Sequence, residues 1–291
     1  MAQEDLESKY RALRRTVGEL QSVVVAFSGG VDSTLVLRVA LDVLGAQNVL
    51  AATARSPSFP PHELEGAEKL AGLLGARHRL FDSDEMSDED FSANPPDRCY
   101  FCKRELFNKL AGIAAEEGLK SVAEGSNSDD EGDFRPGLRA AEEMGVRSPL
   151  REARLTKADV RALSKRLGLP THDKPSFACL ASRIPYGERI TEEKLARIEK
   201  AEALLRGMGM RQFRVRSHNG IARIELGQDE DMTALVEPRA RARISAELKS
   251  LGFHYVTLDL EGYRSGSMNE VLKQGGTDST ADRNGGSKRV H

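Results

Sequence analysis

The 291-residue chain has no tryptophan and only three cysteines, and aromatics make up just 5% of its residues. Scarce aromatics beside plentiful charge (30% of residues) suit a soluble, helix-rich α/β protein. Net charge is nearly absent: 45 acidic against 43 basic side chains leave −2 at pH 7. That balance removes any global electrostatic case for a nucleic-acid partner. No apolar run approaches the roughly 20 residues that a membrane span requires. The opening MAQEDLESKYRALRR is a charged helical pattern lacking a signal-peptide apolar core, so a cytoplasmic location is expected. An odd number of cysteines in a reducing compartment argues against a disulfide framework. Their placement then calls for reactivity, metal binding or burial. There is no internal repeat, and the length allows two domains.

The most informative stretch present is Val23–Thr34, VVVAFSGGVDST. Four apolar residues and Phe27 read as a buried strand, and Leu35, Val36, Val39 and Ala40 follow at helical spacing. Gly29 and Gly30 permit a tight turn and close backbone approach to a ligand. Ser28, Ser33 and Thr34 then stand with backbone N–H groups at a helix N-terminus, where an anion is favoured. This is a phosphate cradle without the lysine of the G-x-x-x-x-G-K-[ST] loop.

Strands are expected at 23–27, 49–54, 77–81 and 121–124, with helices over 33–44, 62–74 and 103–117 between them. This alternation implies a doubly wound parallel sheet with right-handed crossovers and ligands beyond the strands' carboxyl ends. Thr156 reads as the N-cap of a helix reaching Leu167. Beyond an aperiodic stretch at 170–190, a helix at 191–207, strands at 213–216 and 221–226, a helix at 239–249 and a strand at 254–260 read as a smaller α+β domain. The expected division is 1–175, 176–272 and a Gly/Ser/Asp-rich tail at 273–291 that reads as disordered.

Gly125-Ser126-Asn127-Ser128-Asp129-Asp130 follows a strand and opens on the same sheet edge as the glycine cradle. Asp129 and Asp130 are candidates to hold Mg²⁺ against ATP phosphates, with Asp32 a third; a solvated turn is the alternative. Arg135 is a guanidinium candidate for the triphosphate, and Lys157, Arg161 and Lys165 share one helix face. Lys165 is best read as solvated. Cys99-Tyr100-Phe101-Cys102 is a C-x-x-C pair, open to zinc, an iron–sulfur cluster or redox chemistry, or to simple packing. No complementary zinc half-site exists. The third cysteine, Cys179, lies in the aperiodic stretch. Arg214 and Arg216 flank Val215, so on a strand both guanidinium groups leave one face.

SGGVDS resembles the PP-loop of the ATP pyrophosphatase superfamily, whose members adenylate a substrate and release pyrophosphate. The stretch KPSFACLASRIPYGERIT (174–191) resembles the hallmark of the LarE family, as do FRVR (213–216), ARIE (222–225) and GYRSGSMN (262–269). The likeness spans residues 5–272. It implies an ATP-dependent sulfur transferase that adenylates a carboxylate of pyridinium-3,5-biscarboxylic acid mononucleotide. A thiocarboxylate then forms on the way to the nickel-pincer nucleotide of lactate racemase. It also implies an adenine nucleotide alpha hydrolase-like fold, a sulfide or other sulfur donor, and a homo-oligomer, a hexamer in LarE-like proteins. The family has a form that sacrifices the sulfur of one cysteine, at the position of Cys179. Its other form has three cysteines and a [4Fe-4S] cluster; here Cys99, Cys102 and Cys179 match that form. On this reading Lys103, Arg183, Arg214, Arg216 and Arg264 meet the substrate. Glu225 is an orienting partner or else a surface ion pair. An iron–sulfur-dependent tRNA thiolase is the competing reading, and a nucleotide-gated zinc-stabilised binding protein a third.

Overall fold

A computed structural model describes residues 2–132, 136–264 and 266–269. The tail expected to be disordered lies outside them, as does Arg135. The chain opens with α1 (Ala2–Glu19), β1 (Val23–Ala26), α2 (Val31–Leu44), β2 (Val49–Arg55), α3 (Pro61–Leu73) and β3 (Arg77–Asp82). There follow α4 (Glu89–Ser92), α5 (Arg98–Glu116), β4 (Ser121–Ala123), α6 (Pro136–Glu143), α7 (Pro149–Glu152) and α8 (Lys157–Arg166). The last part comprises α9 (Glu192–Gly207), β5 (Phe213–His218), β6 (Ile221–Leu226), α10 (Met232–Val236), α11 (Pro238–Ser250) and β7 (Tyr255–Leu258).

The first sheet is parallel throughout, in the order β3-β2-β1-β4. Strand alternation distributes its side chains to two cores. Val23, Val25, Val49 and Ala51 pack with α1, α2 and α8, whereas Val24, Leu50 and Ala52 pack with Phe107, Leu110 and Ile113 of α5. Helices on both faces make this the doubly wound sheet that the sequence pattern implies. Its strands β1 and β2 are buried on both sides, which is why they read as continuous apolar runs.

The second sheet has the order β5-β6-β7, with β5 and β6 antiparallel and β7 parallel to β6. It packs on α9 and α11 through Val215, Ile224, Leu226, Leu205, Ile244 and Leu248. A further apolar cluster of Phe91, Leu180, Ala181, Ile184, Ile190, Leu195 and Ile198 joins the segment before α9 to the rest. Most expected helices are shifted by a residue or two at an end, and α5 by more. α5 begins at Arg98, not at 103, so Cys99 and Cys102 lie in its first turns. The prolines at 95 and 96 stop the helix from starting earlier.

Candidate active site

The loops following β1, β2 and β4 all emerge at the carboxyl edge of the parallel sheet, where such folds bind ligands. They enclose a cavity of about 720 Å³ lined by Ser28, Asp32 and Ser33 at one end and by Cys99, Cys102 and Cys179 at the other. Among the described residues, the cationic side chains lining it are Lys103 and Lys157.

The glycine cradle is shaped by two close approaches. Gly29 has φ +66°, and a Cβ there would stand 3.1 Å from the Ala67 Cα of α3. Gly125, on the loop after β4, would place a Cβ 2.9 Å from the Ser33 backbone nitrogen. Ser28 Oγ and Ser33 Oγ are 3.1 Å apart. Thr34 is fully buried behind them, away from the cavity lining, and its hydroxyl finds no partner. Gly30 caps α2, and its N–H reaches Ser28 Oγ at 3.4 Å.

The acidic loop knits itself to this cradle. Asp32 accepts hydrogen bonds from Lys157 Nζ and, at 3.1 Å, from Asn127 Nδ2. Asp129 accepts the Lys157 backbone N–H at 2.8 Å, and Asp130 that of Asn127 at 2.9 Å. Lys157 is delivered there because Thr156 and Asp159 form a reciprocal capping box at the start of α8. Asp32, Asp129, Asp130 and Lys157 therefore meet, although Asp129 and Asp130 also shape their own turn. Among the described residues, no group of three or more His, Cys, Asp or Glu side chains is arranged to hold a single metal ion. Asp32 instead has a lysine as counterion.

At the other end Cys99 is exposed, while Cys102 and Cys179 are half-buried against the Phe91–Ile198 cluster. Cys102 Sγ lies 2.9 Å from Glu85 Oε2, and burial together with that carboxylate pushes its thiol well up from the ordinary range. Glu85 is itself buried and accepts hydrogen bonds from Ser56 and Ser58 on the loop after β2. A carboxylate set into an acidic, turn-rich stretch gave no sequence signal of this role. Lys174, the first residue of the KPSFACLASRIPYGERIT stretch, bonds Gly29 O at 3.1 Å and Glu63 at 2.7 Å and so braces the cradle.

Arg183 of the Cys179 segment itself and two arginines of β5 brace that segment. Arg183 is buried with Glu202, bonded through Nε at 2.9 Å and Nη2 at 3.1 Å, and its Nη1 donates to the carbonyls of Ala178 and Cys179. Arg214 donates to Ser176 O at 2.9 Å and Arg216 to Ser182 O at 2.7 Å. Both guanidiniums thus leave one strand face, as the alternation implies. Among the described residues Arg214 has no carboxylate as a hydrogen-bond partner; burial and the nearby Arg183 charge draw its pKa down. Glu225 is buried, taking Arg216 on one oxygen and Arg223 on the other, so its pairing with Arg216 is not a surface ion pair. Arg183, Arg214 and Arg216 line a smaller neighbouring space or the interior, not the main cavity. Arg264 is exposed and pairs with Glu261 at 2.7 Å.

A glycine cradle without the P-loop lysine, at the carboxyl edge of a doubly wound sheet, defines the ATP-using PP-loop class. Comparison with known proteins sharpens this. Residues 6–96 match the NAD synthase family. The chain is 50% identical over 267 residues to an uncharacterized protein of Synechocystis sp., covering 92% of this chain and 99% of the relative. It is 45% identical over 267 residues to the pyridinium-3,5-bisthiocarboxylic acid mononucleotide synthase of Lactiplantibacillus plantarum, covering 92% of this chain and 96% of that enzyme. A tRNA-specific 2-thiouridylase of Xanthobacter autotrophicus is 33% identical over 218 residues, covering 62% of this chain and 55% of the relative. The chain belongs to the pyridinium-3,5-bisthiocarboxylic acid mononucleotide synthase (LarE) family, ATP-dependent sulfurtransferases of the PP-loop superfamily.

Proposed function

We propose that this chain uses ATP to activate a carboxylate of pyridinium-3,5-biscarboxylic acid mononucleotide and replaces the activated oxygen with sulfur. The observation that carries this reading is the single cavity joining the PP-loop to three cysteines. A carboxylate oxygen of the substrate attacks the α-phosphorus of ATP, and the bond to the β-phosphate oxygen breaks to release pyrophosphate. A sulfur nucleophile then adds to the acyl carbon, and AMP leaves with the carboxylate oxygen. Neither step changes an oxidation state. The cradle N–H groups and Ser33 hold phosphate oxygens. Lys157 offsets the charge of the departing pyrophosphate, and Lys103 that of the anionic substrate. Mg²⁺ arriving with ATP would take most of its oxygens from the phosphates, with Asp32, Asp129 or Asp130 adding a single carboxylate rather than a three-carboxylate cage.

Three thiols on one cavity fit a [4Fe-4S] cluster in their donor chemistry, with Cys99, Cys102 and Cys179 as its ligands. When bound, a cluster with one iron free of protein ligands supplies a place to hold sulfide. Direct donation of the Cys179 sulfur is the alternative source, and a cytoplasmic homo-oligomer is the proposed setting.

Incubation with Mg·ATP and the pyridinium substrate is expected to give AMP, pyrophosphate and the thiocarboxylate, with Asp32→Ala impairing the first half. ADP and phosphate as products would sink the reading. Thiolation of tRNA in place of the mononucleotide would favour the 2-thiouridylase alternative. Iron and acid-labile sulfide in anaerobically purified protein separate a cluster from a Cys179 that loses its sulfur.

A further inference from the structure

Cys99 and Cys102 open α5, whereas Cys179 sits on the irregular segment ahead of α9. Asn94 links the two. It is fully buried and has φ 58°, a left-handed conformation that asparagine tolerates better than most residues. Its Nδ2 lies within hydrogen-bond distance of three carbonyls, those of Ile184 (3.3 Å), Pro185 (2.7 Å) and Glu188 (2.9 Å). Its Oδ1 accepts from Arg98 Nη1 at 2.7 Å, and Arg98 immediately precedes Cys99. The Arg98 guanidinium also lies over the Tyr186 ring, 4.8 Å from its centroid. The backbone adds two bonds, Gly187 N–H to Asn94 O at 2.9 Å and Ile190 N–H to Ser92 O at 2.8 Å.

Few side chains satisfy this arrangement. The amide supplies donors for the carbonyls and an acceptor for Arg98. An aspartate of the same shape offers no donor in this dry pocket, so the Ile184 and Glu188 carbonyls would lose this partner, while Pro185 O would keep only the Glu188 N–H at 3.0 Å. The far side of the Cys179 segment is already fixed by Arg183, Arg214 and Arg216. The span between the cysteine pair and Cys179 is thus set where Asn94 and Arg98 join the two elements.

We propose that Asn94, backed by Arg98, is a positioning residue that fixes the separation of the Cys99–Cys102 pair from Cys179. This rests on the reading above in which the three cysteines act at one place. Asn94→Gly removes the amide while keeping the left-handed backbone unstrained. The probe is dibromobimane, which fluoresces only when two nearby thiols displace both bromides. The wild-type chain is expected to give a bimane bridge between Cys179 and Cys99 or Cys102, identified by peptide mass. Asn94→Gly is expected to bridge about tenfold more slowly, since small misplacements carry large rate costs. Monofunctional iodoacetamide should still label Cys179 at the wild-type rate, and pyrophosphate release should persist. Iron bound after anaerobic reconstitution, and its visible absorbance, should fall in parallel. Equal bridging rates in the two proteins would overturn the proposal, as would a wild-type chain that forms no bridge. If Asn94→Gly fails to fold, Arg98→Gln takes its place, with slower bridging expected and wild-type bridging fatal. Slower bridging in a protein whose wild type transfers no sulfur would leave the brace standing and overturn the functional reading instead.

Discussion

Arg183 shows what a single residue commits here. Its guanidinium is wholly inaccessible, forked onto Glu202 and simultaneously onto the carbonyls of Ala178 and Cys179. Glu202 has one further bond, from the Val215 backbone N–H at 3.1 Å. Removing one partner of such a pair strands a buried charge. Arg183→Ala is therefore expected to lose about 3–5 kcal/mol of stability, measured by urea denaturation. Arg183→Lys keeps the charge but cannot span both the carboxylate and the carbonyls, so it should rescue stability only in part. An unchanged denaturation midpoint in Arg183→Ala would show that the pair does not support the Cys179 segment.

Between elements, close contact is set by what glycine lacks. The loop after β4 meets the start of α2 so tightly that a Cβ on Gly125 would crowd both Ser33 N and Asp32 Cβ. That neighbour is backbone, which cannot swing aside. Gly125→Ala is expected to lower the melting temperature and to impair pyrophosphate release together, because the acidic loop is displaced from the cradle. Wild-type kinetics in that variant would separate the two loops functionally. The capping box of α8 makes a milder prediction. Thr156→Ala should cost about 1 kcal/mol by removing the N-cap acceptor, as read by chemical denaturation. It should also weaken ATP binding, since Lys157 is held over Asp32 from the first turn of that helix. Lost stability with unaltered ATP affinity would mean that Lys157 finds its place without the cap.

Across the whole molecule, pH acts through three half-buried histidines. Burial lowers the pKa of His62, His78 and His218, reinforced by Arg206 at the first and by Arg223 and Arg216 at the last. The folded protein thus keeps them neutral while the unfolded chain takes up protons near pH 6.5. With more protons bound in the unfolded state, stability rises with pH; it is full above about 6.5 and is lost progressively below. Melting temperature should fall between pH 7.5 and 5.5 by this mechanism, taking both values as rough bounds around the ordinary histidine range. Replacing all three histidines by glutamine should flatten that slope, and a slope left unchanged would remove them as its cause. No helix among the described residues is long and apolar enough to cross a membrane.

The sequence by itself determined the doubly wound half, because VVVA and VLAATAR must be buried on both faces and glycine must follow the first strand. It also determined the cradle at the sheet edge, the N-cap at Thr156, and the shared strand face of Arg214 and Arg216. These features depend on local period, turn chemistry and capping, all of which act over a few residues. Tertiary structure alone decided that Glu85 stands against Cys102 and that Asn94 reaches the 184–188 segment. It also turned Arg183 inward to hold carbonyls and left Thr34 behind the cradle. A buried carboxylate or amide looks the same in sequence as a solvated one. Only the packing that removes water decides whether its hydrogen bonds must be met by a distant part of the chain.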